Sequence, residues 1–276
     1  VNGDGLSDFA VATPNDDALT PASVTVIFGR SDGWPETVDL GSVAEPEGFT
    51  IRGLSVMQYW QDLPVAAAGD VNGDGIGDMI VGDYPNDRAY VLFGRDDGFG
   101  NSIDLAVLSP DQGVVLQGRS GSYAGFSVDG AGDVNGDGHD DLIIGAWRDA
   151  GLTGRSFVVY GGPALADTVD LSALDGTDGF ALLGAEYPDW SGRAVAGAGD
   201  FNGDGFDDVL IGAPDGSTSA GSAGQAYLVF GSDATQPAER NLATLDGLDG
   251  VRFDGARSGD NFGDAVAGAG DVNGDG

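Results

Sequence analysis

The chain has 276 residues, 50 of them glycine and none cysteine, and a formal net charge of −34 at pH 7. That charge repels nucleic acid and anionic membrane surfaces, and the absence of cysteine excludes disulfide staples and thiol chemistry. An apolar fraction of 41% with so much glycine suits a globular, turn-rich protein and not a disordered one.

Only five of the 45 acidic residues are Glu, and all eleven basic residues are Arg. Without lysine there is no Schiff-base chemistry. So negative a surface suits a calcium-rich or saline exterior, where ions relieve self-repulsion. No apolar run approaches the roughly 18 residues of a membrane span, and no basic stretch precedes an apolar one as in an export signal.

In chain order, VNGDGLSD opens at 1–8 and a related nonapeptide recurs as DVNGDGIGD (70–78), DVNGDGHDD (133–141) and DFNGDGFDD (200–208). DVNGDG then closes the chain at 271–276. Successive starts are 63, 67 and 71 residues apart, which is a repeat architecture. Each unit carries four short β signals. An Ala/Gly/Val strand precedes the loop (64–70, 127–133, 194–200, 265–271), and a β-branched strand follows it (8–12, 78–82, 141–145, 208–212). A third ends in aromatic-Gly (24–29, 89–94, 156–161, 226–231), and a fourth is bracketed by glycine (48–53, 113–118, 179–184, 250–255). Short strands between Gly/Asp/Pro turns, with no helical period, predict an all-β fold. Four strands per repeat is the make-up of a β-propeller blade. The small residues of the first strand place it innermost, where sheets converge. Phe28, Phe93, Tyr160 and Phe230 are expected to pack blade against blade.

The loops place side-chain oxygens at positions one, three, five and nine. These are Asp70, Asn72, Asp74 and Asp78; Asp133, Asn135, Asp137 and Asp141; and Asp200, Asn202, Asp204 and Asp208. The partial copies supply Asn2, Asp4 and Asp8, and Asp271, Asn273 and Asp275. A hard divalent cation needs six to eight oxygens at short range, and this spacing offers them from one turn, with glycine at the sharp bend of position six. Position seven varies (Leu6, Ile76, His139, Phe206), as expected if only its carbonyl faces the ion and its side chain faces solvent. The expected cofactor is Ca²⁺. An EF-hand would need Glu at position twelve, where Val81, Ile144 and Ile211 stand inside strands. The ion is therefore expected in a β-hairpin. Asn-Gly-Asp-Gly is also good turn chemistry, but a turn alone needs no Asp at positions one and nine.

Phe262-Gly263 ahead of an inner strand and Gly212-Ala213-Pro214 after a second strand, with the DxNxDGxxD loop between such strands, resemble the FG-GAP repeats of the integrin α-subunit β-propeller and its bacterial relatives. Gly145-Ala146-Trp147 and Gly82-Asp83-Tyr84 are degraded GAP copies, and the FG position reads Gln61-Asp62, Ala124-Gly125 and Ser191-Gly192 elsewhere. The resemblance covers essentially the whole chain. It implies one propeller region over 1–276, with repeats at 1–63, 64–126, 127–193 and 194–264 and a partial repeat at 265–276. Either the chain is part of a longer propeller, which is the favoured expectation, or 265–271 closes a four-bladed ring as a clasp on the first blade.

Chemistry beyond the loops is sparse. The single histidine, His139, offers no base–nucleophile pair. Glu186 beside Asp189 and Trp190 reads as a solvated loop, and Asp215-Gly-Ser217-Thr-Ser219 as a serine-rich connection lacking the α/β context of a metal-dependent adhesion motif. No enzyme is expected. The resemblance puts the connections bearing Tyr59, Trp60, Tyr84, Tyr123, Trp147, Tyr187 and Trp190 on the face opposite the calcium loops. These rings either wedge between blades or form a ligand face. The resulting expectation is a calcium-binding module of the cell surface or extracellular space with an adhesion or protein-docking role. A carbohydrate-binding propeller and a self-associating surface-layer subunit are the alternatives.

Overall fold

A computed structural model describes residues 1–14, 22–55, 63–219 and 221–274. The first unit contains β1 (Phe9–Thr13), β2 (Ser23–Ile27) and β3 (Gly48–Arg52), and the second β4 (Val65–Gly69), β5 (Asp78–Asp83), β6 (Arg88–Leu92), β7 (Ser102–Asp104) and β8 (Gly113–Gln117). The third holds β9 (Ser127–Gly132), β10 (Asp141–Ala146), β11 (Arg155–Val159), β12 (Thr168–Asp170) and β13 (Gly179–Leu183). The fourth holds β14 (Ala194–Gly199), β15 (Asp208–Ala213), the small pair β16 (Ser217–Thr218) and β17 (Gly221–Ser222), then β18 (Gln225–Val229), β19 (Glu239–Asn241) and β20 (Gly250–Asp254). The four strands expected per unit are present within a residue or two of their predicted bounds, with two exceptions. The first unit has no inner strand among the described residues, and 265–271 is not a strand. No described strand lies where the second half of its hairpin would be, so its backbone has no ladder to join.

Each sheet runs antiparallel from inner to outer strand, as β4-β5-β6-β8 or β9-β10-β11-β13. A fifth strand that the sequence reading missed is added in parallel. β7 joins β3, β12 joins β8, and β19 joins β13, so the second, third and fourth units each lend a three-residue strand to the sheet before it. The lent strands end in Asp104, Asp170 and Asn241, whose side chains accept from the N–H two residues on and turn the chain. The leucines that follow, Leu105, Leu171 and Leu242, are buried. Thr37-Val38-Asp39-Leu40 has the sequence of 168–171, but no described sheet precedes it, and Leu40 stays half-buried.

The sheets stack face to face, so the second and third strands are buried on both sides and read as continuous apolar runs. Alternate residues then serve different interfaces. Met79, Val81, Tyr90 and Leu92 pack with Val26, Phe49 and Ile51 of the first sheet, while Ile80, Ala89 and Val91 pack with Leu142, Ile144 and Phe157 of the third. Ile143 and Val158 turn the other way, to Val209, Ile211 and Tyr227 of the fourth. Of the four aromatics expected between blades, Phe28 and Tyr160 are buried in these interfaces while Phe93 and Phe230 are half-buried, and Phe49 stacks on Phe99 of the next unit at 4.2 Å. The arrangement is an all-β, propeller-like succession of antiparallel sheets. No closed ring forms among the described residues, and β1 takes no partner from the C-terminal segment.

Backbone contact sets the sheet spacing at the inner edge. A Cβ on Gly130 would lie 2.9 Å from the Ala67 carbonyl, and one on Gly197 or Gly268 would lie 2.5 Å from the carbonyl of Gly130 or Gly197. The Ala/Gly composition of the inner strands follows from this convergence. Gly125, Gly192 and Gly263 lie in the left-handed region and press against Gly82, Gly145 and Gly212, glycine on glycine. The residue ahead of each first glycine is Ala, Ser or Phe, so the glycine is the half of the FG motif that the geometry demands. An alanine at Gly192 meets the Arg155 carbonyl and must adopt φ near 82°, whereas Gly121, at φ 81°, has open space around it. Gly192→Ala is therefore expected to destabilise by about 3 kcal/mol and Gly121→Ala by about 1 kcal/mol in urea unfolding; equal losses would show that the inter-sheet contact is not tight.

Candidate functional site

Each nonapeptide joins an inner strand to the second strand of its sheet. In the middle copy, Asp133 Oδ1 accepts from Gly136 and Asp137 N–H (2.7 and 3.0 Å) and Oδ2 from Gly138 N–H (3.0 Å). Asn135 Oδ1 accepts from Asp137 N–H at 2.8 Å, and Asp137 Oδ1 from His139 N–H at 3.0 Å. Asp70, Asn72 and Asp74 repeat the pattern, as do Asp200, Asn202 and Asp204. In the first copy Asp4 caps Leu6 N–H, and in the last Asp271 caps Gly274 N–H. Asp275 lies outside the described residues.

Position nine differs. Asp141 is fully buried and accepts from Val134 N–H (2.9 Å) and from Gly161 N–H (2.8 Å), the glycine after the third strand. Asp78 does the same for Val71 and Gly94, and Asp208 for Phe201 and Gly231. Asp8 bonds Gly29 N–H at 2.8 Å and lies 3.3 Å from the α-amino group of Val1. These carboxylates thus pin the loop to the third strand. Burial pushes the Asp78 carboxyl up to about 7 and Asp141 up to about 8, and raises Asp208, against the pull of the backbone N–H groups.

The donors of each loop are carboxylate, amide and carbonyl oxygens with no sulfur, which suits a hard cation such as Ca²⁺. In the three full loops no arginine pairs with the buried position-nine carboxylate among the described residues, so the donor set fits such an ion in chemistry and in charge. As they stand, the side chains close on the loop's own N–H groups, and no three acidic or histidine side chains converge at metal distance among the described residues. Asp133 Oδ1 uses both of its lone pairs on N–H groups, whereas Asp133 Oδ2, Asn135 Oδ1 and Asp137 Oδ1 each accept one bond and retain a second lone pair.

Position seven departs from expectation in the full loops, whereas Leu6 is 44% exposed. His139 is half-buried, with its ring against Gly73 of the preceding loop and its Nδ1 buried without a partner. Phe206 covers Gly136 and Ile76 approaches Gly3 in the same way. Glycine at position four leaves the space these side chains fill.

At the opposite end of the second strands the aromatic connections meet. Tyr84 contacts Tyr123 (5.7 Å) and Phe126 (5.0 Å), both touch Trp147 (5.7 and 5.8 Å), and Trp147 touches Trp190 (5.4 Å). Tyr123 and Trp190 are held at φ 57° and 55°, each two residues ahead of the left-handed Gly125 or Gly192. Two arginines that the sequence reading passed over complete the band. Arg148 lies 4.6 Å above Tyr123, and Arg193 lies within 6 Å of Phe126, Trp147 and Trp190. Their scarcity and their places beside the aromatic connections were the available signal. The Trp147 and Trp190 indole N–H groups are buried without partners. Tyr187 stands apart, 70% exposed, and Tyr59 and Trp60 lie outside the described residues. Glu186 N–H bonds the buried Asp189 at 2.5 Å, and Ser217 belongs to the small β16–β17 hairpin.

The family model for the FG-GAP repeat matches residues 124–158 and 191–229. Both matches run from the glycine pair through the loop to the third strand. The chain is 31% identical over 224 residues to integrin alpha pat-2 of Caenorhabditis elegans, covering 76% of this chain and 17% of that protein. It is 32% identical over 226 residues to integrin alpha-PS2 of Drosophila melanogaster (77% and 16%) and 29% identical over 223 residues to integrin alpha-5 of Xenopus laevis (76% and 18%). It thus spans less than a fifth of the length of these relatives.

Asp78 and Asp141 hold protons in the folded chain at pH values where an unfolded carboxyl has lost them. The folded state therefore binds more protons between about pH 4 and 8, and stability falls as pH rises through that window. Self-repulsion of the acidic surface acts in the same direction. In chelator, the melting temperature is expected to be several degrees higher near pH 5.5 than near pH 8; an increase with pH would contradict the burial argument.

Proposed function

Because this chain belongs to the FG-GAP repeat family, we propose that it is a calcium-stabilised propeller module of the cell surface or extracellular space that docks a protein partner and performs no catalysis. The repeats at 1–63, 64–126, 127–193 and 194–264 act as blades. In each full loop the side chains at positions one, three, five and nine and the carbonyl at seven hold Ca²⁺, whose charge offsets the buried carboxylate. Partial loops at either end carry the same ligands where present.

The observation that carries the docking role is the band of rings from Tyr84 through Tyr123 and Trp147 to Trp190, capped by Arg148 and Arg193 at the end of the sheets away from the loops. Among the described residues Arg148 makes ring contacts and no ion pair, in a chain with eleven cations against 45 anions. Rings and guanidinium groups presented on rigid connections are the material of interaction hot spots. Tyr84 is buried, while Tyr123, Trp147 and Trp190 are half-buried, so wedging between units and offering a ligand face are compatible.

At a dissociation constant of about 0.1 mM, millimolar calcium adds roughly 1.4 kcal/mol per loop. Excess chelator is therefore expected to lower the melting temperature by roughly ten degrees, and an unchanged melt would remove calcium from the account. Docking is tested by binding to immobilised extracellular proteins, native and enzymatically deglycosylated. Trp147→Ala with Trp190→Ala should weaken binding at least tenfold with the fold intact. Binding lost on deglycosylation, with a matching glycan-array signal, would transfer the band to a sugar ligand.

A further inference from the structure

Three separate contacts seat the loops at 70–78 and 133–141 on the following blade. The carboxylate at position eight of the following loop reaches back to position one. Asp140 Oδ2 accepts from Asp70 N–H at 2.7 Å while Asp140 N–H donates to the Asp70 carbonyl at 3.3 Å. Asp207 holds Asp133 identically, at 2.8 and 3.1 Å. The position-two carbonyls of Val71 and Val134 accept from Gly162 and Ser232 N–H, just past the third strand of the next blade, at 2.7 and 2.9 Å. Finally, the position-seven side chains His139 and Phe206 cover position four of the loop before.

Position one is thus gripped on both its N–H and its carbonyl by a residue about seventy positions away, next to a proposed ligand of that residue's own loop. Position eight is not occupied by Asp throughout: Ser7 and Gly77 stand there in the first two units. The carboxylate clamp is accordingly a feature of two seams, between the second and third loops and between the third and fourth.

We infer that Asp140 and Asp207 are positioning residues that couple calcium binding in each loop to the loop of the following blade, so that the sites at 70–78, 133–141 and 200–208 fill cooperatively and not independently. The inference rests on the calcium reading given above. A grip that orients the position-one carboxylate for one ion is itself oriented by the ion of the next loop, since Asp140 lies between Asp137 and Asp141 and Asp207 between Asp204 and Asp208. Linkage makes such coupling mutual. The chain direction fixes which neighbours are coupled.

The test is a calcium titration of the full chain followed by ¹H–¹⁵N NMR at the position-six amides of Gly75, Gly138 and Gly205, one reporter per loop. Serine is already used at position eight in the first unit, so Asp140→Ser and Asp207→Ser are suitable variants. Losing a charge-assisted bond should raise a midpoint roughly tenfold. Asp140→Ser is expected to raise the Gly75 midpoint and leave Gly205 within twofold of the wild type. Asp207→Ser is expected to raise that of Gly138. Faster hydrogen exchange at the Asp70 amide in Asp140→Ser, without a change at Asp200, reports the broken clamp independently of calcium. A Gly75 midpoint within twofold of wild type in Asp140→Ser, with all three loops still saturating, overturns the coupling and leaves the calcium reading standing. So does an equal shift at all three reporters, the mark of general destabilisation. If no reporter responds to calcium in the wild type, both readings fall.

Discussion

The structure depends on a buried carboxylate held between two backbone N–H groups. Asp78, Asp141 and Asp208 each bond the second residue of a loop and the glycine that ends the third strand, so one side chain fixes the loop to the sheet behind it. Desolvation works against this arrangement, which is why these carboxyls titrate high, and two N–H bonds each compensate only in part. A divalent cation held in the loop, as proposed, would supply the missing positive charge. Structural need and proposed ligand chemistry therefore converge on the same residue.

Around that anchor the units are not beads on a string. Every one of the second and third strands in the middle units is apolar on both faces because it serves two interfaces at once. Glycine meets glycine at the inner edge and at the FG-GAP contact, where any side chain would push the sheets apart. The lent fifth strand ties each unit to its predecessor at the outer edge. Loops seat on the following blade at one end of the sheets and rings link blades at the other. Cohesion in such a chain comes from nearest-neighbour contacts, so each seam matters more than any single sheet.

The two ends differ in chemistry. One gathers carboxylates, whose mutual repulsion screening ions or bound cations relieve. The other gathers tryptophan, tyrosine and two of the few arginines, a surface with both apolar area and positive charge to offer a partner. The proposed division of labour, with calcium stabilising one end and a partner docking at the other, rests on where the connections of an antiparallel sheet must emerge.

The amino-acid order by itself determined what lies within one unit. The nonapeptide spacing, the Ala/Gly/Val and β-branched runs, the aromatic-Gly ends and the glycine brackets were enough to place four strands per repeat and to nominate Asp133, Asn135, Asp137 and Asp141 and their copies. Local patterns carry that information because strand pleat and turn geometry are short-range. What only the tertiary structure decided lies between units. The three-residue strands at 102–104, 168–170 and 239–241 have no alternation to announce them and exist only because a neighbouring edge is free. His139 turns onto Gly73 and Asp140 onto Asp70 because the next blade brings them together, and 265–271 stays out of a sheet despite sharing AVAGAGD with 194–200. Contacts across some seventy residues leave no local periodicity, so burial and partner choice there were settled by packing alone.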